Sequence, residues 1–171
     1  MVLNGKGDDN GINEDTQKRV WAKAKELNYK PNIMARSLRT GRSHTIGLIV
    51  ADISNEFYAR MCRAVEDAAT DRGYHVLFGS SDEKPEKEQQ LIQMLRDRLV
   101  DGIVLSTTLE NMEGIRELEE AEYPLVLIDR FIPGGKTPFI TADNYQGSKE
   151  AVQHLLGKGH ERIGDLKISP S

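Results

Sequence analysis

Acidic residues and one arginine follow short apolar runs of this sequence. Asp52 and Asp143 each lie close behind such a run, and Asp129 and Arg130 lie together behind a third. A carboxylate at the end of a strand accepts hydrogen bonds from sugar hydroxyls, or it caps the helix or turn that follows. We expect capping for Asp52 and ligand contact for Asp129 and Arg130, because an arginine adds a forked donor. Asp143 is assigned to the ligand site, with capping as its alternative.

Two adjacent aromatic residues, Phe57 and Tyr58, lie in the first turn of a predicted helix. Adjacent helical positions point about 100° apart, so one sheet cannot bury both rings. One ring is therefore expected to face a cleft, where it could stack on a sugar or a purine. The alternative places Phe57 in the core, on the inward stripe of Met61, Val65 and Ala68, and leaves Tyr58 at an amphipathic rim.

The sequence contains no motif for nucleotide or metal chemistry. Gly5 and Gly7 lack both the spacing and the preceding strand of a phosphate-binding loop. The four histidines lie on different predicted elements: His44, His75, His154 and His160. None has a carboxylate or a cysteine at metal-ligand spacing, and no serine occupies a nucleophile elbow. We expect no cofactor, no metal ion and no enzymatic activity, and we expect the single cysteine, Cys62, to be buried.

The chain has 171 residues, of which 38% are hydrophobic and 29% charged, which suits one soluble domain with a small appendage. No apolar run approaches the roughly 20 residues of a membrane span. Residues 1–13 also lack the apolar segment of a secretion signal, so we expect a cytoplasmic location. Residues 1–44 carry nine Lys/Arg against five Asp/Glu, whereas residues 45–171 carry fourteen against twenty-two. The basic part favours a polyanionic partner or, equally, a solvated helix face.

The hydrophobic pattern predicts an α/β fold with a doubly wound parallel sheet, because short apolar runs alternate with amphipathic segments from residue 45 onward. The predicted strands are Ile46–Val50, His75–Phe78, Ile103–Leu105, Leu125–Ile128 and Phe139–Thr141. The predicted helices are Glu14–Asn28, Glu56–Arg72, one starting at Pro85, Asn111–Ala121 and Tyr145–Leu156. The helix from Pro85 is expected to bury Leu91, Ile92, Leu95 and Leu99. In such sheets ligands bind at the carboxyl ends of the strands.

Several stretches of the sequence form a recognisable set in a fixed order. They are Thr16, Val20, Leu27, Tyr29, Pro31–Asn32, Ala35–Arg36 and Leu38, then Thr45–Ile49, Asn55 and Phe57–Tyr58, then Gly73–Tyr74, Val100–Val104, Pro124, Asp129–Arg130, Gly159–His160 and Arg162–Gly164. In this set the chain resembles the LacI/GalR family of bacterial transcription repressors, with the fructose-repressor branch as the nearest likeness. The resemblance implies a periplasmic-binding-protein-like core, a homodimer, operator DNA as a partner and a sugar or sugar-phosphate effector. It also places Phe57, Tyr58, Asp129, Arg130 and Asp143 at the effector site.

By the same resemblance, residues 31–44 are a hinge whose helix becomes ordered on DNA. The matching DNA-contacting residues are Asn32, Ala35, Arg36, Leu38 and Arg39. An exposed leucine between arginines suits a wedge that kinks a base step while the arginines meet phosphates. The alternative is that Leu38 packs on the core of its own chain. A hinge helix over Asn32–Arg39 has eight residues. Isolated helices become marginally stable only at about 12–15 residues, so ordering of this helix requires a partner.

The resemblance divides the chain into three parts. Residues 1–30 are expected to be the remnant of a helix-turn-helix head, residues 31–44 the hinge, and residues 45–171 the incomplete amino-terminal subdomain of the effector-binding core. Most of the base-reading helix and the second effector subdomain are expected to be absent, which predicts weak, nonspecific DNA binding and a millimolar or weaker effector affinity. We predict a transcription regulator controlled by a sugar effector. The alternatives are a sugar-binding protein or subdomain without a DNA role and, last, an enzyme of flavodoxin-like architecture.

Overall fold

The computed structural model describes residues 2–4, 8, 11–29 and 41–164. The helices are α1 (Glu14–Glu26), α2 (Glu56–Thr70), α3 (Pro85–Asp97), α4 (Met112–Glu120) and α5 (Asn144–Gly157), with a short 3₁₀ turn at Val2–Asn4. The strands are β1 (Thr45–Val50), β2 (His75–Ser80), β3 (Gly102–Leu105), β4 (Leu125–Ile128) and β5 (Phe139–Ile140). Each strand and helix predicted within the described residues is therefore present, with bounds that shift by at most two residues.

The strands form one parallel sheet in the order β2-β1-β3-β4-β5. The chain starts inside the sheet with β1, adds β2 on one side, and then adds β3 and the later strands on the other side. Leu48 of β1 lies opposite Phe78 of β2 and Val104 of β3. This order is that of a doubly wound sheet, and it confirms the predicted fold class.

The core consists of two apolar clusters, one on each face of the sheet. On one face, Leu48 and Val50 of β1 pack with Tyr58 and Cys62 of α2. Ile49 points to the opposite face, because successive side chains of a strand alternate. Its cluster extends over α3, α4 and the neighbouring strands: Ile92, Leu95, Val100, Ile103, Leu105, Ile115, Leu118, Leu125 and Leu127. Cys62 is buried, as predicted.

Gly47 allows α3 to pack closely on β1. A Cβ atom at this position would lie 2.5 Å from Cδ1 of Leu95, whose side chain is fully buried. Such a distance is far inside van der Waals contact, so a larger residue would force α3 or Leu95 to move. The glycine here serves a close approach between strand and helix.

The buried face of α2 differs from the predicted one. Phe57 is 52% exposed and Ala68 is exposed, whereas Tyr58, Cys62 and Ala69 are buried. The placement of Phe57 and Ala68 as inward residues is therefore wrong, whereas Met61 and Val65 of the same stripe are partly buried against this cluster. The buried face is thus rotated around the helix axis by less than the about 100° of one residue. Tyr58 can be buried because its hydroxyl finds hydrogen-bond partners at the ends of the strands.

Leu99, predicted as a buried residue of the third helix, is 51% exposed. The helix α3 ends at Asp97, and Leu99 adopts a left-handed backbone conformation with φ 56° in the turn toward β3. This turn reverses the chain direction and carries Val100 into the core instead. The apolar period of α3 thus ends two residues before the pattern suggests.

The first and last helices add little to the core. The sequence predicts one apolar stripe along α1 and its end, made of Val20, Trp21, Ala24 and Leu27. Of these, Ala24 is buried, but Trp21 and Leu27 are 51% and 66% exposed. Asn13 caps this helix, because its side chain accepts hydrogen bonds from two backbone N–H groups of the first turn. No residue of α5 is buried. Among the described residues, no helix is long and apolar enough to cross a membrane.

Candidate functional site

The carboxyl ends of β1 and β3 border a crevice of the kind in which doubly wound sheets bind ligands. The chain leaves β1 toward α2 on one face of the sheet, and it leaves β3 toward α4 on the other face. The two connections diverge between neighbouring strands, so a gap opens at this edge. The strand β4, beside β3, contributes its own carboxyl end to the same edge.

Tyr58 and Asp129 meet at this edge. The Tyr58 hydroxyl donates a hydrogen bond to Oδ2 of Asp129 at 3.0 Å, and it accepts one from the Ser106 hydroxyl at 3.4 Å. Burial raises the pKa of the Tyr58 phenol. The phenol therefore keeps its proton at neutral pH and acts as a donor toward the carboxylate. Asn55 caps α2 by accepting a hydrogen bond from the N–H of Phe57 at 2.9 Å, which fixes the turn that carries Tyr58.

A tight turn at the end of β4 brings Asp129 and Arg130 to the edge together. Asp129 has φ 69°, in the left-handed region that aspartate enters more readily than most residues. Its N–H donates to the carbonyl of Ile140 at 2.9 Å, and the N–H of Arg130 donates to the carbonyl of Ile128 at 2.8 Å. Because the turn interrupts the strand, the two side chains are not forced onto opposite faces of the sheet.

Arg130 extends from the end of β4 to the loop that follows β2. Its Nη1 and Nη2 atoms donate to the two carboxylate oxygens of Glu83 at 2.7 and 2.6 Å. Nη1 also donates to the carbonyl of Thr107 at 3.3 Å, and Nε lies 4.0 Å from Oδ2 of Asp129. The hydrogen bonds of this pair lower the pKa of Glu83 and raise that of Arg130. Both groups are therefore charged at neutral pH.

A buried carboxylate supports the loop behind Arg130. Glu88 of α3 is fully buried, and it accepts hydrogen bonds from the N–H of Thr108 at 2.6 Å and from the hydroxyl of Thr107 at 3.1 Å. Burial raises the pKa of Glu88, and the hydrogen bonds from Thr108 and Thr107 oppose this shift in part. These contacts fix the loop whose carbonyl group, at Thr107, receives Arg130.

Phe57 lies at the solvent side of the Tyr58 ring. The two ring centroids are 5.1 Å apart with an interplanar angle of 71°, an edge-to-face arrangement. Half of the Phe57 side chain stays exposed. The open part of this ring is a surface on which the apolar face of a sugar ring can pack.

The remaining two acidic candidates make local contacts. Asp52 accepts hydrogen bonds from the N–H and the hydroxyl of Ser54 at 2.8 and 2.7 Å, so it stabilises the turn before α2, as expected. Asp143 accepts a hydrogen bond from the N–H of Gln146 at 2.9 Å and caps α5. Contact of Asp143 with a ligand stays a prediction.

The sequence alone did not single out Glu83 or Thr107 as parts of this edge. Glu83 and Arg130 are 47 residues apart, and no local pattern reports a contact over that separation. The available signal was position, because Glu83 and Thr107 both lie in loops that follow predicted strands. Polar residues at the carboxyl ends of strands are candidate site residues even when their types fit no motif.

Asp101 fastens the segment that precedes β1. The N–H and hydroxyl of Ser43 donate to Oδ1 of Asp101 at 2.6 and 2.9 Å, and the N–H of His44 donates to Oδ2 at 3.0 Å. Burial favours the protonated carboxyl, but these hydrogen bonds outweigh it and lower the pKa of Asp101. The carboxylate thus attaches residues 43 and 44 to the turn before β3.

The predicted DNA-contacting residues lie outside the described residues: Asn32, Ala35, Arg36, Leu38 and Arg39. In the described helix α1, basic side chains pair within the helix, Lys18 with Glu14 at 3.5 Å and Lys23 with Glu26 at 2.6 Å. All four side chains are more than half exposed, so these pairs add little stability.

Concave surfaces also lie away from the carboxyl edge. A concave surface of about 320 Å³, lined in part by Glu119, Tyr123 and Lys136, lies at the amino end of β4, away from the carboxyl edge. Within residues 2–4, 8, 11–29 and 41–164, no three side chains capable of holding a metal ion come together. The carboxyl edge therefore remains the candidate site.

Residues 43–171 match the protein family described as periplasmic binding proteins and the sugar-binding domain of the LacI family. The chain belongs to this family. The match covers β1 to β5 and every residue of the carboxyl edge described above. It confirms the resemblance drawn from the sequence motifs.

LacI-family relatives of this chain are transcription regulators. The ribose operon repressor of Halalkalibacterium halodurans is 37% identical over 166 residues, which cover 97% of this chain and 48% of that protein. The chain spans about half the length of the curated relatives it matches.

Two solved structures of LacI-family proteins hold different kinds of ligand. The Cra transcriptional dual regulator of Pseudomonas putida, in complex with fructose 1-phosphate, is 32% identical with a TM-score of 0.62, over 67% of this chain and 43% of that chain. A LacI transcriptional regulator from Alkaliphilus metalliredigens, complexed with D-xylulofuranose, is 30% identical with a TM-score of 0.58, over 68% and 42%. One ligand carries a phosphate group and the other carries none.

Proposed function

We propose that this LacI-family chain supplies one wall of the effector site, together with the hinge, of a DNA-binding transcription regulator whose operator binding is controlled by a sugar. The observation that carries the proposal is the cluster of Tyr58, Asp129 and Arg130 at the crevice between β1 and β3. A carboxylate and a guanidinium side by side suit a hydroxyl group, which donates to one and accepts from the other.

Each residue of the wall has a distinct part in this proposal. Asp129 accepts from a sugar hydroxyl, and Tyr58 holds the Asp129 carboxylate in place through its own hydrogen bond. Arg130 donates to a second oxygen of the sugar. Phe57 covers an apolar face of the sugar ring, and Asp143 approaches the ligand from the start of α5.

The link to DNA runs through the segment before β1. The proposed hinge, residues 31–44, directly precedes β1, and Asp101 attaches Ser43 near its end to the core. A change in the core that alters this attachment alters the position of the hinge, which is what coupling between effector and operator requires. The proposal includes a homodimer, because a palindromic operator presents two half-sites, and a cytoplasmic location, because the operator is there.

An NMR titration of the ¹⁵N-labelled chain with sugars tests the effector site. We expect saturable shifts of the amides of Phe57, Asp129 and Arg130 for at least one sugar of a panel of aldoses, ketoses and their phosphates. Asp129→Asn should weaken binding of that sugar about tenfold or more, since a hydrogen bond to a charged group contributes about 1.5–3 kcal/mol. Asp67→Asn, on the exposed side of α2, is the matched control and should bind normally. Absence of saturable shifts with every sugar would contradict the proposal.

Fluorescence anisotropy with a DNA duplex tests the hinge. The logarithm of the affinity should fall linearly with the logarithm of salt concentration, and Arg36→Gln and Arg39→Gln should each reduce the slope by about 0.9. Arg63→Gln removes a charge from the exposed side of α2 and serves as the control. If the chain binds a sugar but its DNA affinity is unchanged by both hinge substitutions, it is a sugar-binding protein without a DNA role.

A further inference from the structure

The ion pair of Glu83 and Arg130 spans the mouth of the crevice. Glu83 follows β2 and Arg130 follows β4, and the sheet order places β1 and β3 between them. Three strand spacings separate β2 from β4, which is about 14 Å. Two long side chains bridge this distance and form a bidentate pair with distances of 2.6 and 2.7 Å. The pair therefore lies over the place where a ligand would enter.

The pair leaves Arg130 with only part of its hydrogen-bonding capacity. A guanidinium has five N–H donors. In the described part of the chain, Glu83 takes two of them and the carbonyl of Thr107 takes a third. The remaining two, on Nε and Nη2, lie on the side of Asp129, whose Oδ2 is 4.0 Å from Nε. These two donors form the second fork of the guanidinium, but Asp129 lies beside it. A hydroxyl group can accept from Arg130 and donate to this carboxylate, whereas the carboxylate would repel a phosphate group.

The charge at the edge also opposes a phosphate group. Three carboxylates gather there, on Glu83, Asp129 and Asp52, and Asp52 is close enough to Glu83 to repel its charge. Arg130 is the cation that pairs with Glu83 and Asp129. The nearby cations, Lys84 at the cap of α3 and Lys87 in its first turn, act instead on Asp82. A phosphate that displaced Glu83 would take its cation away and add its own negative charge beside Glu83, Asp129 and Asp52.

We propose that Glu83 is a specificity-determining residue: as an internal ligand of Arg130, it makes this wall select an uncharged polyhydroxy effector over a phosphorylated one. This inference rests on the proposed effector site. An anion that competes with Glu83 for Arg130 binds only the molecules in which Arg130 is free, so its apparent affinity is reduced in proportion to that fraction. Removal of the Glu83 charge therefore raises the affinity of the anion. A neutral sugar that uses the two remaining donors gains little from that removal.

The test compares matched pairs of ligands that differ by one phosphate group. The labelled chain is titrated by NMR with D-fructose and fructose 1-phosphate, and with D-ribose and ribose 5-phosphate. We expect the wild-type chain to bind the neutral member of a pair more tightly. Glu83→Gln removes the charge that binds Arg130, and it should raise the affinity for the phosphate member relative to the neutral member by about tenfold or more.

Asp82→Asn provides a matched control in the same loop. Asp82 and Glu83 are adjacent, both have left-handed backbone angles, and each carries one negative charge. Asp82 pairs with Lys87 rather than with Arg130, so its substitution should change the phosphate-to-neutral ratio less than about threefold, as expected for a partly screened charge. Dispersion of the amide spectrum verifies that both variants are folded.

The outcomes separate this inference from the function on which it rests. A phosphate member that binds the wild type at least as tightly as its neutral partner overturns the inference and leaves the effector site in place. Equal effects of Glu83→Gln and Asp82→Asn overturn it as well, because bulk charge would then explain the change. If no member of either pair binds and the wider panel also fails, the effector site itself is wrong, and the inference is lost with it.

Discussion

Replacing Glu88 by glutamine tests whether a buried charge behind the site costs stability at neutral pH. Glu88 is fully buried, and its carboxylate holds the N–H of Thr108 and the hydroxyl of Thr107. Glutamine has nearly the same shape, its amide oxygen can accept the Thr108 hydrogen bond, and its NH₂ group can donate to the Thr107 oxygen. Glu88→Gln therefore removes the negative charge and retains the contacts.

The sign of the pH dependence follows from the direction of the pKa shift. Burial raises the pKa of Glu88 in the folded chain above its ordinary value of 4.5. At pH values between the ordinary pKa and the raised pKa of the folded chain, the folded protein binds more protons than the unfolded protein. The free energy of unfolding of the wild type therefore falls as pH rises through this range. One carboxyl group contributes a slope of at most about 1.36 kcal/mol per pH unit. The stability of Glu88→Gln relative to the wild type should therefore rise above pH 4.5 and level off beyond the folded pKa.

Glu88→Ala separates the charge from the hydrogen bonds. Alanine leaves the Thr108 N–H buried without an acceptor, which costs about 1–3 kcal/mol. Removal of the side chain also leaves a cavity, so this variant should be less stable than the wild type at neutral pH. The two substitutions are thus expected to have opposite effects at neutral pH, although both remove the same charge.

Urea denaturation at a series of pH values between about pH 4 and pH 8 measures these differences. Glu86→Gln, on the exposed side of the same first turn of α3, is the control and should follow the wild-type profile closely. Parallel profiles for the wild type and Glu88→Gln would refute the reasoning, because the carboxyl would then have the same proton affinity in the folded and unfolded chains.

Three further substitutions test other contacts of the core and the site. Gly47→Ala places a Cβ atom 2.5 Å from Cδ1 of Leu95, and the free energy of unfolding, measured by urea denaturation, should fall by about 1–3 kcal/mol. Asp101→Asn should speed hydrogen exchange of the two amides that precede β1, and because the pKa of Asp101 is lowered, the stability advantage of the wild type should shrink as pH falls below 3.8. Tyr58→Phe removes the hydroxyl that binds Asp129 and should lower the free energy of unfolding by about 1–1.5 kcal/mol, measured by urea denaturation.

Local periodicity was sufficient to predict the strands, the helices and the edge at which the candidate site lies. The strand β4 was predicted with its observed bounds, because Leu125–Ile128 is an apolar run between a proline and a charged pair. Asp129 and Arg130 could be selected as site residues for the same reason, since they follow a strand of a parallel sheet. These inferences need only a window of a few residues.

The rotation of α2 could not be predicted from its apolar residues. Phe57 and Tyr58 are both aromatic, and a stripe through either one contains enough apolar residues to form a core face. The choice depends on the Tyr58 hydroxyl, which is buried only because Asp129, 71 residues away, accepts its hydrogen bond. A polar contact at the strand ends thus decides which apolar face of the helix enters the core.

The pairing of Glu83 with Arg130 depends on the order of the strands, which no local window contains. With β1 and β3 between their strands, the two residues meet only because the loop after β2 holds Glu83 in a left-handed conformation and both side chains are long. An aspartate at position 83 would be shorter by one methylene group and would lose the bidentate contact unless the loop moved. Such a change would lie outside the sheet and its two apolar clusters, so it would alter the charge at the crevice with little effect on the core. Preference for a charged or an uncharged effector can therefore change in this loop while the fold stays the same.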